Sequence, residues 1–96
     1  MELVWQTQRR KTLVDWPQLV DDRLEILVRA ATAAGENVSR AQVLAALVAT
    51  ADTSPEAVAA AIHRYRLLEP ADLESDRPDE ALLPQVTHRG PRRSPA

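Results

Sequence analysis

Cysteine is absent from the 96-residue chain, and so is phenylalanine; glycine occurs twice and methionine once. Without cysteine there is no disulfide framework and no cysteine-bearing zinc site. Two glycines are too few for a glycine-rich phosphate loop. Trp5, Trp16 and Tyr65 are the only aromatic residues, so a core has to come from Leu, Val, Ile and Ala. No apolar run is long enough for a signal peptide or a bilayer span, and a soluble cytoplasmic protein is expected. The length fits one small domain.

Chemistry of other kinds is also thin. His63 and His88 are too few and too far apart for a metal site. Asp21, Asp22 and Glu25 read as one solvated helix flank, with no partner base, nucleophile or cleft. No catalytic set and no cofactor is expected, so the chain does not read as an enzyme.

What is present is an uneven charge. The net value is −2. Residues 1–11 set Arg9, Arg10 and Lys11 against Glu2, whereas residues 70–87 set five acids against Arg77. Arg89, Arg92 and Arg93 make the last residues basic again. A mildly acidic total argues against a general nucleic-acid coat. It leaves a local basic edge open, because phosphate responds to the local field.

The stretch "RRKTLVDWP" follows that basic start. Arg10, Thr12, Val14 and Trp16 alternate with Lys11, Leu13 and Asp15, a short strand pattern. The competing reading is an irregular arm. Pro17 suits a first helical turn, and Asp15 with Gln18 has the form of a capping box. In "PQLVDDRLEILVRAATAAG", Val20, Leu24, Leu27, Ala31 and Ala34 recur on one helix face, which Leu19, Ile26 and Ala30 widen. Gly35 suits the left-handed residue that ends a helix.

A second helix is predicted in "NVSRAQVLAALVATAD", with Ser39 and Gln42 as a capping box. Val43, Leu44, Leu47, Val48 and Ala51 make its apolar face broad, and alanine fills most other positions. A helix apolar nearly all round is buried on more than one side. A third is predicted in "SPEAVAAAIHRYRLLE", capped by Ser54 with Pro55 at its first position and striped by Val58, Ile62 and Tyr65. Pro70, Pro78, Pro84, Pro91 and Pro95 then punctuate a polar stretch, so residues 70–96 read as a disordered, charged tail. Residues 1–69 form the folded domain.

A lone strand leaves its N–H and C=O groups unpaired, and the chain offers no second strand. The economical partner is the same strand of a second copy about a two-fold axis. The folded part is also of a size at which oligomerisation commonly supplies missing stability. A homodimer is therefore expected.

Strand, helix, glycine turn and Ser-capped helix together resemble the ribbon-helix-helix family of bacterial repressors and antitoxins, of the Arc and MetJ kind. "KTLVDWP" matches the ribbon, "QLVDDRLEILVRAATAAG" the first helix and "NVSRAQVLAALVATA" the second, over about residues 9–51. The resemblance implies a mainly α fold: a ribbon-helix-helix homodimer with one short N-terminal strand per chain and an extra third helix. It also implies a DNA-binding regulator whose ribbon enters the major groove. Val14 and Trp16 would then point inward, and Lys11, Leu13 and Asp15 outward. Arg9 and Arg10 would meet phosphate, Lys11 guanine, and Leu13 a thymine methyl. Lys11 has a second reading as a solvated edge charge, and Asp15 a second reading as a helix cap. Ser39 and Arg40, at the amino end of the second helix, would hold another phosphate; their other reading is a plain cap with an exposed Arg. The competing function is a helical interaction module or antitoxin whose acidic tail binds a partner protein. No membrane partner is expected.

Overall fold

The computed structural model describes residues 1–75 and 83–85. These residues are mainly helical. A single 3-10 turn at Val4–Gln6 precedes four helices: α1 Gln18–Ala33, α2 Arg40–Thr50, α3 Pro55–Leu67 and α4 Pro70–Ser75. The described residues contain no strand, and residues 8–17 run without regular structure.

Helix α1 starts with Pro17 as its N-cap, in extended conformation and with no side-chain cap. The expected Asp15–Gln18 box is therefore corrected. A capping side chain has to sit at the N-cap itself, and Asp15 lies two residues before it. Gln18 instead bonds one turn forward, its Nε2 donating to Oδ1 of Asp22 at 2.9 Å. The carboxyl end is as expected: Gly35 has φ +92°. Its N–H donates to the Thr32 carbonyl at 3.0 Å, and the Glu36 N–H donates to the Ala31 carbonyl at 2.9 Å. This pair of bonds is the Schellman closure, which satisfies two orphan carbonyls.

A Cβ on Gly35 would meet no heavy atom within 4 Å. The cost of Gly35→Ala is then conformational alone. It should destabilise the fold by about 1–2 kcal/mol, the penalty of a left-handed L-residue. Urea unfolding checks this, and an unchanged midpoint would show that the turn does not constrain the helix pair.

Helix α2 carries a complete capping box. The Gln42 N–H donates to Oγ of Ser39 at 3.2 Å, and the Ser39 N–H donates to Oε1 of Gln42 at 2.9 Å. In α3, Oγ of Ser54 accepts from the Ala57 N–H at 3.2 Å, and Pro55 occupies the first position as expected. Arg64 and Arg66 lie in its last turn, where cations suit the helix dipole.

Helix α4 lies just past residue 69, where the tail was expected to begin. Pro70 opens it, and Oδ2 of Asp72 accepts from the Glu69 N–H at 2.7 Å. The proline read as punctuation thus serves as a helix start. The rest of the expected tail, residues 76–82 and 86–96, lies outside the described residues.

The core is small and centred on α1, which packs chiefly on α2. Leu24, Ile26 and Val28 are buried, Val28 completely, and Arg29 is buried with them. At 100° per residue, Leu24 and Val28 lie on one side of α1, and Ile26 and Arg29 on the other. The helix is therefore covered on two sides, where one broad stripe was expected. Of that stripe Leu24 and the widening Ile26 are buried; Val20, Leu27, Ala30 and Ala31 are partly covered, and Leu19 and Ala34 are exposed.

Neither α2 nor α3 buries a residue. Leu47 and Val48 of α2 are 50% and 69% exposed, and Val58, Ile62 and Tyr65 of α3 are exposed as well. The described residues of the single chain leave these stripes largely uncovered.

Candidate functional site

The basic start of the chain has a defined anchor. Oγ1 of Thr7 donates to the Val4 carbonyl at 2.7 Å, and the Leu3 N–H donates to Oε1 of Gln6 at 3.0 Å, which closes the 3-10 turn. Nη2 of Arg9 donates to the Trp5 carbonyl at 3.2 Å. That neutral acceptor orients the guanidinium and leaves its charge uncompensated. Arg10, Lys11, Thr12 and Leu13 follow, all exposed, and Leu13 is fully open to solvent. Of the two residues expected to face inward, Trp16 is partly buried and Val14 is about half exposed.

The arm does not run away from the helices. Leu3, Val4, Trp5, Thr7, Gln8 and Arg9 form one wall of a groove of about 600 Å³. Ala41, Gln42, Ala45, Ala46 and Ala49 of α2 form the other. The α2 side of the groove is almost entirely alanine. Arg9 and the amino end of α2 therefore share one groove, although they are more than thirty residues apart in the chain.

The far end of the arm is fixed by a polar network. Nε1 of Trp16 donates to Oδ1 of Asp21 at 3.3 Å. The same oxygen takes Nη2 of Arg40, and Nη1 of Arg40 donates to Oε1 of Glu25 at 3.0 Å. Asp21 and Glu25 are one turn apart on α1, so both carboxylates face the first residue of α2. The network joins arm, α1 and α2 at one point. These side chains are about one-third to two-fifths exposed. Each pair on its own then contributes at most about 1 kcal/mol, and its value lies in geometry.

This arrangement divides the expected site residues. Arg9, Arg10, Lys11 and Leu13 are displayed to solvent on the arm. The hydroxyl of Ser39 is taken by its cap and the guanidinium of Arg40 by two acids. At the α2 amino end the capping box takes the N–H groups of Ser39 and Gln42, and the groups still available to an anion are the backbone N–H groups of Arg40 and Ala41. Asp21 and Glu25, expected on a solvated flank, instead hold Arg40. No local signal distinguishes them from Asp22, which bonds only within α1.

A second groove, of about 390 Å³, lies among the helices and is mainly apolar. Leu24 and Leu27 of α1, Leu44 and Leu47 of α2, Tyr65 of α3 and Leu73 of α4 line it. Among the described residues, no three His, Asp or Glu side chains gather so as to hold a metal ion. His63 is exposed on α3, and His88 lies outside the described residues. No described helix is long and apolar enough to cross a membrane. No family model matches the chain, and neither a curated protein nor a solved structure matches it.

Proposed function

We propose that the chain is a homodimeric, sequence-specific DNA-binding regulator of the ribbon-helix-helix type, repressor-like in action. The observation that carries this reading is the shared groove of Arg9 and the α2 amino end. Those are the two places at which a ribbon-helix-helix protein meets phosphate. Around them lie a helix pair joined by a glycine closure, a Ser-capped second helix, and an exposed arm of the right length before the first helix. In this reading residues 10–16 form a strand only when a second copy supplies the pairing edge. A ladder needs a partner strand, so in this reading residues 10–16 stay irregular in a single chain.

Arg9 and Arg10 act on phosphate, and Lys11 and Leu13 face base edges in the major groove. Ser39 shapes the α2 amino end, and its free N–H groups meet a second phosphate. Arg40 holds the end of the arm in place through Asp21 and Trp16. Fluorescence anisotropy on DNA from upstream of the coding sequence, at low salt, tests the proposal. Binding that saturates and favours that DNA over random sequence is the expected result; no binding even at low salt removes the reading.

The second reading, an interaction module or antitoxin that binds a partner protein, draws on the apolar groove among the helices. In that case the groove and not the arm is the working surface, and substitutions in the arm leave partner binding unaltered.

A further inference from the structure

Arg29 is 7% exposed on the back of α1, away from both the arm and the arm-side groove. A guanidinium buried without partners costs several kcal/mol. Part of its compensation comes from far along the chain. Nε donates to the Pro84 carbonyl at 3.0 Å, and Nη2 donates to the Leu83 carbonyl at 3.1 Å. These bonds span 55 and 54 residues. Leu83 and Pro84 are themselves partly buried.

The chemistry on both sides is specific. The planar fork of Arg reaches two acceptors at once, which the single ammonium of Lys does not reproduce. Proline fixes its own φ and holds the residue before it in an extended conformation. Leu83 and Pro84 therefore present consecutive carbonyls with little entropy left to lose. Proline also brings no N–H that would need a partner.

We propose that the back of α1 is a recognition site for a proline-containing segment, with Arg29 as its clasp and this chain's own Leu83–Gln85 as its occupant. The segment is a strap that anchors the C-terminal part of the chain to the helical domain. A protein that engages that part has to accept the strap as docked or displace it from Arg29. The proposal is independent of DNA binding.

Nuclear magnetic resonance on the full chain tests it. The heteronuclear NOE of the Leu83 and Gln85 amides should match that of α1, and the Arg29 Nε–H should exchange slowly and show an NOE to Pro84. Arg29→Lys keeps the charge and loses the fork. It should drop the Leu83 and Gln85 values to those of a free chain end while circular dichroism keeps its helical signal. Pro84→Gly keeps both carbonyls and loses the preorganisation, and should lower the same values in part. If Arg29→Lys unfolds α1, Pro84→Gly alone decides. Mobile Leu83 and Gln85 amides in the unsubstituted chain, or values indifferent to Pro84→Gly, overturn the proposal.

Discussion

Sedimented at micromolar concentration, the chain should run at twice its 10.6 kDa mass. Its unfolding midpoint should rise with protein concentration, as for any fold stabilised by association. The reason lies in what one chain leaves uncovered. Among the described residues the buried apolar side chains are Leu24, Ile26 and Val28, all on α1. Leu47, Val48, Val58, Ile62, Tyr65 and Leu68 stay exposed on α2, α3 and the turn after it. Covering the rest of such a side chain contributes roughly 1 kcal/mol apiece at the usual transfer value, which is large against the few kcal/mol that a core of this size supplies. If the α3 stripe lies in the interface, Ile62→Ala costs about 2–4 kcal/mol, the range for a buried truncation. At 43% exposure in the single chain, the same change should cost clearly less. A folded monomer whose stability is indifferent to Ile62→Ala would remove the dimer from consideration.

The parts of this fold that can be read from the chain are those decided within about four residues. Ser39 with Gln42, Ser54 with Pro55, and Gly35 after an alanine-rich turn each close a helix end by local hydrogen bonds, and each stands where the pattern placed it. The Asp15–Gln18 pattern shows the limit of that rule. Its spacing is right, but the helix starts after Pro17, so the carboxylate is out of reach of the first turn.

Whatever depends on distant residues was not legible. Arg29 lies away from the apolar stripe, yet it is buried. Part of what covers it comes from Leu83 and Pro84, which bond Arg29 from more than fifty residues away. Asp21 and Glu25 resemble any exposed helix acids until the Gly35 turn brings Arg40 back beside them. Of the candidate site, the arm cations were recognisable by their clustering. The engagement of Arg40 was not, because no spacing in the sequence encodes it.

That engagement makes the DNA reading sharper, because the cations should no longer behave alike. Each phosphate neutralised contributes about −0.9 to the slope of log affinity against log salt concentration. A dimer carries every residue twice, so Arg9→Ala should flatten the slope by up to about two units. Lys11→Ala acts at base edges and should instead narrow the gap between operator and random DNA, by about 1–3 kcal/mol for each base that is no longer read. Arg40→Gln should weaken binding and leave the slope unaltered, since its charge is already met by Asp21 and Glu25. It should also shift Trp16 fluorescence in the free protein, because Asp21 holds both the indole and the guanidinium. A slope flattened by Arg40→Gln as much as by Arg9→Ala would show that Arg40 leaves its acids for phosphate. Operator binding indifferent to Arg9, Lys11 and Arg40 together would mean that the arm does not read DNA, and the apolar groove among the helices becomes the surface to probe.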